Sequence, residues 1–339
     1  MSGTLSNPIE IALSLANSDF HDTYRAGSPR TRPSSRSRYT LRIETRRDHP
    51  RTLPTMESFI ADDGERLHLR SRGEGPPLVL LHGWAASHAV WNPILESLHA
   101  RHRVFCPDAR GHGGHPLTAT RTPDVARLAR DVANLLDHYG LDTAALAGHS
   151  MGALTLWQYI GDFGCARITR LCLIDQSPRL VTDAAWDMGI YGDFDAAHSR
   201  RFAAEMEADF TESVLRLIAH GLNAGARATY DRNSRGWQQM REAIAGLDPL
   251  PLISIWNSLA RADYRPVLPA ITVPTLLVWG GASNFYTLAT ARYLLARIPD
   301  ATLINHAEAD HCPQLCTPER FAAELLAFLG PPSDWPRVD

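Results

Sequence analysis

The sequence of 339 residues contains no lysine, few cysteines and no long apolar run. All 34 basic residues are arginines, which we attribute to the codon bias of a GC-rich genome. The five cysteines are scattered without a C-x-x-C pair, which argues against a disulfide framework and a zinc site and favours a reducing cytoplasm. No stretch reaches the roughly 20 apolar residues of a membrane span, so we expect no membrane partner.

A strong charge of one sign is also lacking, since 34 basic and 37 acidic residues leave a net charge of −3. Such a chain has no basic field that would attract nucleic acid, and we expect a small molecule as its partner. Hydrophobic residues make up 44% of the chain, enough for the large core of a globular protein. The sequence leaves the oligomeric state open.

Residues 1–55 differ from the rest of the chain because arginines lie there among Ser, Thr and Pro with little apolar periodicity. That composition predicts disorder. The segment also lacks the apolar core of about 7 to 15 residues that marks a secretory signal. We interpret it as a dispensable extension; a transit peptide and an RNA-binding arm are the alternatives. Residues 331–339 form a short tail.

From Met56 onward the pattern is typical of alternating strands and helices. Asp62-Asp63-Gly64 predicts a hairpin between two short strands. Continuous apolar runs predict strands buried on both faces of a parallel sheet; they occupy residues 77–81, 104–106, 144–147, 171–174 and 275–279. Amphipathic stretches at 125–139 and 151–163 predict helices between them. The sequence therefore predicts the α/β class: a mostly parallel central sheet with helices on both faces, formed by residues 56–175 and 271–330.

Residues 176–270 interrupt that alternation, with helical segments at 196–220, 236–245 and 252–261. We expect them to form an inserted helical cap between two strands of the core. The cap is rich in aromatic side chains that could line an apolar substrate pocket. The candidates for this lining are Trp186, Tyr191, Phe210 and Trp256.

Gly148-His149-Ser150-Met151-Gly152, here called the serine turn, follows an apolar run and precedes a predicted helix. Its glycines avoid side-chain clashes where strand and helix converge, and the sharp turn exposes the Ser150 hydroxyl as a nucleophile. The Met151 N–H lies at the start of the helix, where an oxyanion is stabilised. Trp84 follows the strand 77–81 at the edge where ligands of α/β sheets bind, and its N–H is a second candidate oxyanion donor.

A serine hydroxyl needs a general base with a pKa near 7, and histidine is the usual choice. Of the 15 histidines, His311 is the candidate because it lies in a loop between the last predicted strand, 302–304, and a helix at 318–329. We interpret His149, within the serine turn, as a packing residue whose side chain points away from Ser150.

Together these segments resemble the α/β-hydrolase fold superfamily, and the short cap and Leu173-Ile174-Asp175-Gln176-Ser177-Pro178 most resemble its esterase and haloperoxidase-like group. The resemblance spans about residues 56–330 and rests on Leu80-Leu81-His82-Gly83-Trp84, Pro107-Asp108-Ala109-Arg110-Gly111-His112-Gly113, the serine turn, Val278-Trp279-Gly280 and His311-Cys312-Pro313. It implies that Ser150 is the nucleophile, His311 the base, and the N–H groups of Trp84 and Met151 the oxyanion hole. It also implies that no metal and no organic cofactor is required.

The third member of the triad departs from the family pattern. Relatives usually place the acid three residues after the glycine of the Val-Trp-Gly strand, where this chain has Ser283 followed by Asn284. Neither residue carries the negative charge that stabilises an imidazolium. Asp175, at the end of the predicted strand 171–174 that precedes the Val-Trp-Gly strand, is our candidate. Some relatives with haloalkane-cleaving chemistry place the acid at this location, and the order nucleophile, acid, base is kept. The alternatives are Asn284 or Ser283 as a weak orienting group, or no functional acid.

These observations predict a serine hydrolase that cleaves an ester, thioester or lactone-type acyl substrate through an acyl-enzyme on Ser150. A serine nucleophile argues against haloalkane dehalogenase and epoxide hydrolase chemistry, which needs a carboxylate at this position. Carbon–carbon bond hydrolysis and cofactor-free perhydrolysis remain alternatives on the same scaffold. A ligand-binding protein that kept the fold and lost turnover is the alternative from another class.

Overall fold

A computed structural model describes residues 56–330 of the chain. The predicted N-terminal extension and the C-terminal tail lie outside the described residues. Within them, no helix is long and apolar enough to cross a membrane.

Eight strands form one sheet in the order β1-β2-β4-β3-β5-β6-β7-β8. The strands are β1 (Glu57–Ile60), β2 (Arg66–Arg72), β3 (Pro77–Leu81), β4 (Arg103–Pro107), β5 (Ala144–His149), β6 (Ile168–Ile174), β7 (Thr275–Gly280) and β8 (Ala301–His306). The β1–β2 and β2–β4 pairs are antiparallel and all the others are parallel. The predicted α/β class and mostly parallel sheet are therefore confirmed.

Apolar side chains cover both faces of the sheet, as the continuous runs predicted. In β3, Leu78 and Leu80 belong to one buried cluster, whereas Val79 and Leu81 belong to another on the opposite face. This alternation explains why the strand reads as an unbroken apolar run: each face needs its own apolar residue at every second position.

Eleven α-helices lie within the described residues. They are α1 (Asn92–His99), α2 (Val125–His138), α3 (Met151–Phe163), α4 (Ala196–Ala208), α5 (Phe210–Ala219), α6 (Ala224–Asp231), α7 (Arg235–Ala245), α8 (Pro249–Arg261), α9 (Leu288–Leu295), α10 (Pro313–Cys316) and α11 (Pro318–Leu329). Helices α1 and α11 contribute to the cluster on one face of the sheet, and α2 and α3 to that on the other.

Helices α4 to α8 follow one another between β6 and β7, in the segment expected to be the cap, and are called the cap below. The predicted helix 196–220 is two helices, because Asp209 leaves the helical conformation at φ −150° and ψ 90°. Its side chain accepts a hydrogen bond from the Glu212 N–H and so caps the second helix. Helix α6 was not predicted; Asn223 precedes it as the N-cap, and its side chain accepts hydrogen bonds from two N–H groups of the first turn.

Candidate active site

The serine turn joins β5 to α3 and holds Ser150 in a strained conformation, with φ of 53° and ψ of −118°. Such backbone angles are rare for a residue with a side chain and persist only where the surroundings enforce them. Here a Cβ on Gly148 would lie 2.4 Å from the carbonyl carbon of Gly152, and one on Gly152 would lie 2.4 Å from the Leu81 carbonyl oxygen. Both positions therefore require glycine, which lets strand and helix meet closely behind the serine.

His311 and Asp175 meet beside the serine turn. The His311 Nδ1 atom lies 2.8 Å from Oδ1 of Asp175. Asp175 follows the last residue of β6, is fully buried, and has a φ of 44°. Its N–H donates to the carbonyl oxygen of Val278 in β7. The pairing of β6 with β7 thus places this carboxylate at the sheet edge that His311 reaches from the loop after β8.

Two further groups hold the Asp175 carboxylate in place. The Gly280 N–H donates to Oδ2 at 2.8 Å, and the Ser283 hydroxyl donates to Oδ1 at 2.8 Å. From the sequence, Ser283 is a candidate only as a weak orienting group in place of the acid. It lies instead against the acid, a contact that becomes visible only once β6 and β7 are paired.

Asn284 has no comparable contact with the histidine ring. Its side chain donates to the carbonyl oxygen of Ile218 and accepts from the N–H of Asn223, both in the cap. Of the residues weighed as acid or orienting group, Asp175 is therefore the one within hydrogen-bonding distance of the His311 ring.

The surroundings of the His311–Asp175 pair shift both protonation equilibria. Burial lowers the pKa of His311 below its ordinary value, an effect that the negative charge of Asp310 opposes. Burial raises the pKa of the Asp175 carboxyl, whereas the hydrogen bonds from Gly280 and Ser283 lower it. A neutral His311 ring that donates Nδ1–H to Asp175 leaves Nε2 with a lone pair, the state that a general base requires.

The two predicted oxyanion donors border the same cavity as Ser150 and His311. Met151 is the first residue of α3, so its N–H has no acceptor within the helix. The indole N–H of Trp84 donates to the carbonyl oxygen of Leu252 in the cap at 2.9 Å, which fixes this residue between core and cap. A Cβ on the neighbouring Gly83 would lie 3.3 Å from the Ser150 Cβ, so this loop passes directly against the serine.

Of the four aromatic residues expected in the substrate pocket, only Trp256 lines this cavity, here called the serine cavity. Phe210 lies behind Trp84, with ring centroids 5.7 Å apart. Tyr191 lies behind Phe285, with centroids 5.9 Å apart. Both support the lining from a second layer, which corrects the expectation that they line the pocket.

Trp186 also lies outside the lining of the serine cavity. Its ring packs edge-on against Tyr293 at 4.8 Å, and its indole N–H donates to the carbonyl oxygen of Arg179. It thereby joins the start of the cap to α9. Its aromatic side chain serves packing between elements, which corrects the expectation that Trp186 lines the substrate pocket.

His149 packs within the protein, as expected, but it does so at the edge of the serine cavity. It lines the serine cavity, and its Nε2 atom lies 2.9 Å from the carbonyl oxygen of His311. The two rings are 4.8 Å apart. His149 therefore supports the histidine loop, and no sequence signal pointed to this contact because it joins residues from β5 and the loop after β8.

No group of three or more potential metal ligands occurs among residues 56–330. What the site does contain is a serine on a strained strand–helix turn, a histidine–carboxylate pair, and main-chain donors at the carboxyl edge of a mostly parallel sheet. This arrangement is that of the α/β hydrolases.

A model of the alpha/beta hydrolase fold family matches residues 76–316, and the chain belongs to that family. It is 28% identical over 266 residues to the pimeloyl-[acyl-carrier protein] methyl ester esterase of Vibrio vulnificus, covering 78% of this chain and 98% of the relative. It is 24% identical over 270 residues to 3-oxoadipate enol-lactonase 1 of Acinetobacter baylyi, covering 78% and 94%. The solved bromoperoxidase of Bacillus anthracis shares the fold, with a TM-score of 0.70, 22% identity, and coverage of 80% and 99%. The chain is an enzyme of the α/β-hydrolase family.

Proposed function

We propose that the chain is a serine hydrolase that cleaves an ester, thioester or lactone of a small molecule through an acyl-enzyme on Ser150. The observation that carries this proposal is the 2.8 Å contact between Nδ1 of His311 and the buried Asp175 carboxylate. In this contact, Asp175 is a negatively charged partner for the histidine. The lack of an acid after the Val-Trp-Gly strand was the reason to consider a ligand-binding protein without turnover.

In the proposed reaction, the Ser150 oxygen attacks the carbonyl carbon of the substrate while Nε2 of His311 takes the hydroxyl proton. The N–H groups of Trp84 and Met151 hold the negative charge that develops on the carbonyl oxygen. His311 then gives its proton to the leaving oxygen or sulfur as the bond to the acyl carbon breaks. A water molecule, deprotonated by His311, attacks the acyl-enzyme and releases the acid, which restores the serine hydroxyl. Asp175 stabilises the imidazolium in both halves of the reaction.

The relatives support the reaction class. A methyl ester esterase and an enol-lactonase both take their names from the cleavage of a bond between an acyl carbon and oxygen. Each match covers at least 94% of the relative, so it includes the core and the cap together. Ester or lactone hydrolysis is therefore the chemistry that we assign to this chain.

A fluorophosphonate probe tests the nucleophile. We expect stoichiometric labelling of the full chain together with hydrolysis of p-nitrophenyl butyrate, and loss of both in Ser150→Ala. Ser199→Ala, on cap helix α4, is the matched control and should retain both. Stoichiometric labelling of Ser150→Ala would refute the assignment of the nucleophile. Labelling of the natural chain without ester turnover would favour the ligand-binding alternative.

A further inference from the structure

The basic side chains that border the serine cavity within residues 56–330 are two histidines, His149 and His311. Arginine is about one residue in ten of the chain, with 34 in 339, yet no arginine borders this cavity among the described residues. The charged side chains that do border it are both acidic, Glu308 and Asp310. Asp310 is adjacent to the base His311, and burial raises the pKa of its carboxyl.

Most of the remaining wall is apolar and comes from α3, from the start of the cap and from its helices. Representative residues are Leu154, Leu180, Val214, Leu217, Met240 and Leu259. Each of these side chains except Leu180 lies on a helix that packs against the core or within the cap. Such a wall stabilises a bound hydrocarbon chain through burial. It provides no hydrogen bond or opposite charge to compensate a charged group for its lost hydration.

Two of the polar side chains in the wall, those of Thr229 and Gln176, already have partners within the protein. The Thr229 hydroxyl lies 2.9 Å from the carbonyl oxygen of Ala226 and accepts the indole N–H of Trp237. The Gln176 amide donates to the carbonyl oxygen of Ser177 and to the Tyr286 hydroxyl. These groups build the wall and would have to give up existing hydrogen bonds to bind a substrate.

The same holds where the cap meets the histidine loop. The Asn223 amide donates to Oδ2 of Asp310 at 3.0 Å and to the carbonyl oxygen of Ala282 at 3.2 Å. The other carboxylate oxygen of Asp310 accepts the N–H groups of Asn284 and His311. These three donors already compensate the negative charge of Asp310 within the protein.

We infer that the acyl group cleaved at this site is neutral and apolar, and that esters with a free carboxylate on the acyl chain are poor substrates. This inference rests on the proposed function. A substrate carboxylate inside the cavity would lose its hydration, meet no arginine and lie in the field of Asp310; an unpaired buried charge is strongly destabilising. A neutral chain of the same length meets only the apolar wall.

Two adipate esters provide a matched pair that differs in charge. Dimethyl adipate and monomethyl adipate have the same six-carbon acyl chain, and the second carries a carboxylate at its end. We expect kcat/KM for the monoester to be lower by about 100-fold or more at pH 7. Values within about threefold of each other would overturn the inference.

A new cation in the wall should change that ratio. Ala226 lies on cap helix α6, borders the serine cavity and is half-buried, so a longer side chain can reach into the cavity from there. Ala226→Arg should narrow the difference between the two esters by about tenfold or more, whereas the neutral control Ala226→Met should not. An unchanged ratio in an Ala226→Arg protein with the circular dichroism spectrum of the natural chain would contradict the inference.

Binding without turnover separates this inference from the proposed function. Calorimetry with Ser150→Ala should show tighter binding of dimethyl adipate than of monomethyl adipate. If the natural chain hydrolyses neither p-nitrophenyl butyrate nor these two esters and this preference remains, the proposed function fails and the inference about the cavity stands. If both esters are hydrolysed and bound equally well, the inference fails and the proposed function stands.

Discussion

Replacement of Asp175 by asparagine tests the candidate acid without changing its size. In the natural chain, Oδ1 accepts from His311 and Ser283, and Oδ2 accepts from the Gly280 N–H. An asparagine has one carbonyl oxygen and one NH₂ group, so it cannot accept on both sides. If the oxygen faces His311, the NH₂ group meets the Gly280 N–H and a hydrogen bond is lost. If the NH₂ group faces His311, the ring must accept at Nδ1 and carry its proton on Nε2, where it can no longer act as a base.

Both orientations lower kcat, and the second has the larger effect. A wrong histidine tautomer in a serine hydrolase of this type reduces kcat by about 10⁴-fold. We therefore expect kcat of Asp175→Asn for p-nitrophenyl butyrate to fall by at least about 100-fold. KM should change little, because the fully buried Asp175 is absent from the lining of the serine cavity.

Steady-state kinetics with the surface variant Asp193→Asn as control measure this effect. Circular dichroism and thermal melting of the same preparation show whether the variant is folded. A folded Asp175→Asn protein that keeps more than about a tenth of the natural kcat would refute the role of Asp175 as the acid. In that case the His311 ring would have to be oriented by another group.

Three further predictions concern the same site. Removal of the hydroxyl that holds the acid, in Ser283→Ala, should lower kcat about tenfold in steady-state kinetics, since a hydrogen bond to a charged group contributes about 1.5 kcal/mol or more. The value of kcat/KM should fall toward low pH as His311 becomes protonated, and the midpoint should lie below the ordinary 6.5 because burial lowers the His311 pKa. Asp310→Asn should move that midpoint lower still, since the Asp310 charge raises the His311 pKa. Thermal melting should show a lower Tm for Gly152→Ala, whose Cβ would lie 2.4 Å from a main-chain oxygen, whereas Gly161→Ala on the same helix, with its closest contact at 3.6 Å, should be neutral or stabilising.

The features predicted from the sequence were those that depend on local patterns. The apolar run Pro77–Leu81 forms a buried strand. Both faces of the sheet need apolar residues, so consecutive positions of the strand are apolar. The serine turn is equally local, since its glycines and strained serine lie within five residues. The expected pocket positions of Trp186, Tyr191 and Phe210 depended on how the cap docks on the core. Helical periodicity gives one apolar face, but it does not tell which aromatic residues on that face form the first layer around a cavity.

The position of the candidate acid follows from the parallel sheet. Strands β6 and β7 are neighbours that run in the same direction, so their carboxyl ends lie side by side, and residues that follow them can reach the same point. The 2.8 Å hydrogen bond between Ser283 and Asp175 shows how close these two positions are, although 108 residues separate them in the chain. A carboxylate after β6 can therefore meet His311 from nearly the same place as one after β7. Ser283, the polar residue that follows β7, then donates a hydrogen bond to that carboxylate. The absence of an acid after the Val-Trp-Gly strand therefore does not require the loss of catalysis.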